Sequence, residues 1–302
     1  MKEFYVLTLG VEATYPSANS ITSSNLLVYY NKKFLLDCGE GTQMLLRKYK
    51  VSLQKINHIF ISHLHGDHYF GIFGLLSTFN ILNRKHDLNI YCHYQLKQII
   101  DLIFKDNLLY KINFHFYPKE FSLIYEDEDI QVFSCPLNHN IENSAIIFKE
   151  KNEILKIKKE KIVEYNLSID DIKKIKMGED YYDKKTNKII PNAELTYPRP
   201  ESRIFTYLPD TIINDELVNF LNGTTTLLCD STFLSEHSDL AEKYYHNTCK
   251  NAALLAKKLS AKLLILTHFS SRYRNRKVFL SESKEIFENT ILAEEGKIIQ
   301  IL

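Results

Sequence analysis

The sequence predicts an α/β fold, on three observations. Short apolar runs of strand length alternate with runs of helical spacing. Several of the apolar runs end in a histidine or an aspartate. Four side chains able to bind metal, His63, His65, Asp67 and His68, fall within six residues where a strand-like run gives way to a helix-like one.

Each element follows from local pattern. Phe4 to Leu9 reads as a strand, and Gly10 to Ser24, dense in Ser, Thr and Asn, as a loop. Leu26 to Tyr30 and Lys33 to Leu36 read as a hairpin turning at Asn31-Lys32. In Asp37-Cys38-Gly39-Glu40-Gly41-Thr42-Gln43 the glycines permit a tight turn into a helix over Thr42 to Lys50. That turn is either a phosphate cradle or a support packed beneath the next motif. After the histidine-rich loop, Tyr69 to Leu82 reads as a helix, Leu88 to Cys92 as a strand, Leu96 to Phe104 as a helix and Ile130 to Leu137 as a strand running into His139.

Lys149 to Pro200 breaks the alternation. It is rich in lysine with acidic residues between, and has helix-like patches at Lys158 to Tyr165 and Asp170 to Lys176. It reads either as a solvated insertion or as a basic arm that grips a polyanion. Strand character resumes at Ile204 to Leu208, which ends at Asp210, and at Thr225 to Leu228, which ends in Cys229-Asp230-Ser231-Thr232. A helix starts after His246-Asn247-Thr248, with Asn247 or Thr248 as its N-cap, and runs to about Lys258. Leu263 to Leu266 is a last core strand delivering Thr267-His268-Phe269-Ser270-Ser271-Arg272-Tyr273.

Bulk properties exclude more than they select. The chain has 302 residues and a net charge of +1, so any grip on nucleic acid must come from local basic patches. Five cysteines with no Cys-x-x-Cys pair suggest reduced thiols and a cytoplasmic protein. No run approaches the roughly 18 apolar residues of a membrane span, and no export signal opens the chain.

The ligand pattern implies two metals. In an extended segment His63 and His65 point to one side, while Asp67 and His68, past the bend that Gly66 allows, face another way. His139, Asp210 and His268 each stand just past an apolar strand, and strand ends along one sheet edge make a shared site. We assign His63, His65 and His139 to one metal, Asp67, His68 and His268 to the other, and Asp210 as a bridge. Nitrogen and carboxylate ligands without cysteine favour two zinc ions, with manganese or iron as alternatives. Two zincs offset by Asp67, Asp210 and a hydroxide leave a residual positive charge suited to a phosphodiester.

With these motifs in place, the chain resembles the metallo-β-lactamase fold superfamily. Within it, the chain is similar to the ribonuclease Z family of tRNA 3′-processing endonucleases. The His63 to His68 loop carries the wider resemblance. The Asp37 to Gln43 turn, Pro136-Leu137-Asn138-His139, Pro209-Asp210-Thr211, His246-Asn247-Thr248 and Thr267 to Tyr273 carry the narrower one, in family order. The resemblance implies a four-layer αβ/βα sandwich of two mixed sheets, with residues 150–200 as a flexible arm that binds precursor tRNA. It implies a homodimer, Asp67 as general base, His246 as the general acid that protonates the leaving 3′-oxygen, and phosphate or substrate contacts from Ser270, Ser271 and Arg272.

Three departures from the family pattern stand out. Cys229-Asp230 replaces a His-Glu pair, with Asp230 retaining a carboxylate that can orient His246. The arm lacks a Gly-Pro hinge, having only Gly178. The strand after His139 reads Asn143-Ser144-Ala145-Ile146 where a glycine-aromatic pair is expected. Arg272, Arg274, Arg276 and Lys277 form a compact basic cluster outside the arm, or a solvated face. The expected activity is removal of the 3′ trailer after the discriminator base. The alternatives are a phosphodiesterase or thioesterase-type hydrolase of the same fold, or a catalytically weakened tRNA-binding relative.

Overall fold

The computed structural model describes residues 3–302 apart from 19, 106, 152–154 and 199–200. The chain divides into two compact units, residues 1–125, 132–148 and 203–302 forming the larger and residues 126–131 and 149–202 the smaller.

The first half of the larger unit builds β1 (Phe4–Gly10), β2 (Ser24–Tyr29), β3 (Lys32–Leu36), β4 (Ile56–Phe60), β5 (Leu88–Cys92) and β6 (Ile112–Phe116). These follow as β7 (Ser122–Glu126), β8 (Ile130–Pro136) and β9 (Ser144–Glu150), then a small hairpin of β10 (Tyr181–Asp183) and β11 (Lys188–Ile190). The chain closes with β12 (Ile204–Leu208), β13 (Thr226–Asp230), β14 (Leu263–Thr267), β15 (Thr290–Leu292) and β16 (Ile298–Gln300). Two seven-stranded sheets result, in the orders β16-β1-β2-β3-β4-β5-β6 and β15-β14-β13-β12-β9-β8-β7. In the first, β16, β1, β2 and β3 pair antiparallel and β3 to β6 parallel. In the second, β12 to β15 run parallel.

Alternation along the strands explains the layering. In β2, Leu26 and Val28 join the apolar cluster that the helices Thr42–Lys48, Gly71–Ile81 and Tyr94–Phe104 close from outside. Tyr29, of opposite parity, faces Phe4 edge-on at 5.0 Å. The sheets meet through rings: Phe34 of β3 lies 5.1 Å from Phe148 of β9, and Phe60 of β4 lies 5.5 Å from the same ring. Phe34, Phe148 and Phe205 are each fully buried, and such burial is worth roughly 1.5–3 kcal/mol per side chain. The helix Cys249–Lys258 packs on β13 and β14 with Ala252, Ala253, Leu255 and Ala256 buried. The four-layer α/β sandwich expected from the sequence is therefore present.

Local boundaries shift where side-chain chemistry competes with pattern. The β2–β3 turn falls one residue earlier, because Tyr30 takes up the positive φ of 51°. The helix expected over 69–82 divides into Gly66–Tyr69 and Gly71–Ile81. Thr248 is the N-cap of the helix that follows, its hydroxyl accepting the Asn251 amide at 3.1 Å.

The smaller unit is folded. Its helices Lys159–Glu164 and Ile169–Met177 and the β10–β11 hairpin enclose Ile157, Leu167, Ile175 and Leu195. A capping box joins Ser168 and Asp171 at the second helix. Gly178 ends that helix at φ 105°, so the glycine noted in the sequence serves as its C-cap.

Candidate metal centre

Six strands deliver the site. Asp37 follows β3, His63 to His68 follow β4, His139 follows β8, Asp210 follows β12, Asp230 ends β13 and His268 follows β14. Parallel strands put their carboxyl ends on one edge, so ligands far apart in sequence meet there.

Among the described residues three overlapping groups form. His63, His65, His139 and Asp210 bring one ligand atom each within 4.8 Å of one another, as do Asp67, His68 and His268, and as do Asp210, Asp230, His246 and His268. The first two match the two metals assigned from the sequence. His63 Nε2 lies 3.1 Å from His65 Nδ1, which lies 3.2 Å from His139 Nε2. In the second cluster His268 Nε2 is 3.3 Å from His68 Nε2 and 3.2 Å from Asp67 Oδ2. Asp210 Oδ2 reaches both, at 3.6 Å from His63 Nε2 and 3.5 Å from His68 Nε2.

The hydrogen bonds behind the rings fix which nitrogen faces inward. His68 Nδ1 lies 2.6 Å from the Asp37 carboxylate, which can only accept, so Nδ1 carries a proton and Nε2 is the nitrogen turned toward the cluster. Ser62 donates its hydroxyl to Asp37 at 2.8 Å and therefore accepts from His63 Nδ1 at 3.0 Å. Thr232 donates to Asp230 at 2.6 Å and accepts from His268 Nδ1 at 2.9 Å. His139 Nδ1 donates to the Tyr245 carbonyl at 3.1 Å. Among the described residues, His63 Nε2, His65 Nδ1 and His139 Nε2 thus converge with lone pairs and no donor between them, an arrangement that a cation would satisfy. His68 and His268 turn Nε2 toward the second cluster.

These residues fit a metal on a second count. Ligands at 2.0–2.1 Å from a tetrahedral zinc stand roughly 3.3–3.4 Å apart, and the spacings of 3.1–3.6 Å bracket that value. Asp210 Oδ1 is buried and makes no hydrogen bond, standing 3.2 Å from His268 Nδ1.

The electrostatics agree. Burial opposes charge on His68, but Asp210, Asp67 and Asp37 outweigh it and hold the imidazole well above its usual range. His268 is likewise pushed up to about 10 against burial, by Asp210, Asp230 and Asp67. Burial raises the cost of ionising Asp67, yet His68 and His268 hold its carboxyl well below the usual range. His63, His65 and His139 are instead lowered, chiefly by burial.

His246 adjoins the clusters. Its Nδ1 lies 3.2 Å from Asp230 Oδ2, and its ring stacks on His268 at 5.4 Å. Burial is outweighed by Asp210 and Asp230, so the imidazole is held above its usual range. Asp230 is placed to orient His246, and Cys229 is buried with its thiol against the Asp230 carbonyl. Ser270, Ser271 and Arg272 line the cleft over the clusters, about 840 Å³ in volume. The basic cluster is not uniformly free, because Arg276 pairs with Glu12 and covers Phe269 at 5.0 Å.

Asp37 belongs to the site although nothing in the local sequence marks it. Besides His68 and Ser62 it accepts the Tyr207 hydroxyl at 2.6 Å. Of the two readings of the Asp37 turn, the support holds: a Cβ on Gly39 would stand 2.7 Å from the Asp67 carbonyl, and one on Gly71 would stand 2.0 Å from the Gly39 carbonyl. The turn and the metal loop are in backbone contact.

Comparison with known proteins decides the family. Ribonuclease Z of Phocaeicola vulgatus is 36% identical over 305 residues, covering 100% of this chain and 98% of the relative. The chain belongs to the ribonuclease Z family. Human tRNase Z, short form, a solved ribonuclease Z relative, superposes with a TM-score of 0.70 at 25% identity over 99% of both chains. The metallo-β-lactamase fold protein YhfI from Bacillus subtilis gives 0.71 at 17% identity over 99% of both chains, a likeness of fold. A family model described as Anti-Pycsar protein Apyc1 matches residues 4–113, the stretch that carries the His63 to His68 loop. Ribonuclease Z membership within this fold implies a metal-dependent hydrolase, and the His/Asp clusters supply a place for the metal.

Proposed function

We propose that the protein is a zinc-dependent endoribonuclease that removes the 3′ trailer of precursor tRNA. Cleavage falls after the discriminator base and leaves a 3′-hydroxyl on the tRNA and a 5′-phosphate on the trailer. The observation that carries this reading is the full-length match to ribonuclease Z, joined to the convergence of His139, Asp210, His246 and His268 on the His63 to His68 loop.

His63, His65, His139 and Asp210 would hold one zinc, and Asp67, His68, His268 and Asp210 the other. Bound there, the pair supplies Lewis acidity to the phosphodiester and lowers the pKa of water. The chain's own residues complete the chemistry. Asp67 accepts the proton of the attacking water, and the Thr14 amide, donating at 2.8 Å, holds its Oδ2 in place. His246 turns Nδ1 to Asp230 and carries its proton on Nε2 toward the leaving 3′-oxygen. The carboxylates that keep His246 charged serve that role. Ser270, Ser271 and Arg272 contact phosphate or the end of the acceptor stem.

The smaller unit binds tRNA as an exosite, with its lysines on phosphates. The protein works in the cytoplasm as a homodimer in which one subunit's arm serves the other's site.

The test is cleavage of a precursor tRNA transcript by zinc-loaded protein. The expected products are a mature 3′-hydroxyl end and a 5′-phosphorylated trailer; an intact transcript, or a trailer ending in 5′-hydroxyl, rejects the reading. Deleting residues 149–202 should lower kcat/KM on precursor tRNA far more than on bis(p-nitrophenyl) phosphate.

A further inference from the structure

Two aromatic side chains on the cleft are exposed. Tyr15 is 56% exposed and Phe70 is 55% exposed, and both line the cleft that holds Asp67, Asp210 and His246.

Each ring is held in place. Thr14, a β-branched residue, takes φ 71°, a conformation such residues rarely adopt, and this turns its amide onto Asp67. Tyr15 comes next, restricted in turn by Pro16. Its hydroxyl pairs with Ser271 Oγ at 2.7 Å, which tethers the ring beside the cleft. Phe70 lies over the metal loop itself. A Cβ on Gly66 would stand 2.5 Å from the Phe70 ring, so the missing side chain at Gly66 is what lets the ring rest there. Tyr69 braces it edge-on at 4.9 Å.

A fixed, wet aromatic face beside a phosphodiester site suits one partner, an unstacked nucleobase. Stacking accepts any base, because every base has a π-face, and it suits an enzyme that must accept many trailer sequences. We propose that Tyr15 and Phe70 are base-stacking platforms that hold the unpaired nucleotides next to the scissile phosphodiester. This rests on the endoribonuclease reading and adds how the single strand is presented to Asp67 and His246.

The experiment is a mutant cycle between protein and RNA. Tyr15→Ala, Phe70→Ala, Tyr15→Phe and Phe70→Trp are assayed on a precursor tRNA, and on the same RNA with an abasic nucleotide immediately 5′ or immediately 3′ of the cleavage site. Each alanine variant should lower kcat/KM on the intact RNA by roughly 5- to 150-fold, mostly through KM, with Tyr15→Phe and Phe70→Trp restoring most of it. On the RNA lacking the matching base, wild type and alanine variant should differ by less than about twofold. A loss that persists undiminished on both abasic RNAs overturns the stacking role. So does failure of the ring-preserving variants to recover. If the wild type leaves precursor tRNA intact while hydrolysing bis(p-nitrophenyl) phosphate, the endoribonuclease reading falls first and the platforms with it.

Discussion

The two ligand clusters use the same residue types in different electrostatic surroundings. His63, His65 and His139 share one carboxylate, Asp210, and burial keeps their rings neutral. His68 and His268 face Asp67 and Asp210 and are backed by Asp37 and Asp230, so those rings are held charged. The difference teaches that one cluster is ready to receive a cation, whereas the other must exchange protons for it.

Three changes break or sharpen this contrast. The largest effect is expected from Asp67→Ala, which removes a ligand of one cluster and the proposed base. Turnover of precursor tRNA should fall by about 10²–10⁴-fold, and metal analysis should find the His63/His65/His139 cluster still loaded. Loss of both metals would show that the clusters are not separable. Asp37→Asn comes next. It weakens the support of His68 directly and that of His63 only through Ser62, so metal affinity should drop roughly 10- to 100-fold at the His68 cluster and by less at the other. An equal drop in both binding steps, seen in chelator competition, would erase the distinction.

The smallest effect is in protons. A histidine whose pKa lies above the working pH must shed a proton before it can bind metal, so affinity falls as pH falls. With His268 at about 10 and His68 also raised, loading their cluster near pH 7 should release protons. Loading the cluster whose histidines are lowered should not. Calorimetric titration in two buffers of different ionisation enthalpy reads this directly; heats that do not depend on buffer in either step contradict it.

The same contrast explains what could be read in the chain. The His63 to His68 loop is visible because four candidate ligands are neighbours in sequence. His139, Asp210 and His268 are visible because each ends an apolar run. Asp37 was hidden: its partner His68 lies 31 residues on, and an aspartate before a glycine-rich turn has a sufficient local explanation. Thr14 and Tyr207 were hidden for the same reason, each acting on the site from a distant part of the chain. The edge strands β6 and β7 escaped notice because Ile112–Phe116 and Ser122–Glu126 are half exposed and show no clean apolar run. Pattern reading finds residues whose reason is local, and the supports of this site are not.

The pairing of β1 with β16 has a consequence for how the protein comes into being. Tyr5 pairs with Gln300, so β1 has no partner on that side until β16 has been made. The second cluster likewise lacks a ligand until His268 has been made, 205 residues after His63 (268 − 63). At about 5–20 residues per second that delay is roughly 10–40 s. During it a nascent chain sitting among RNAs on a translating ribosome holds the loop that looks most like a nuclease, yet has no complete centre with which to cut them.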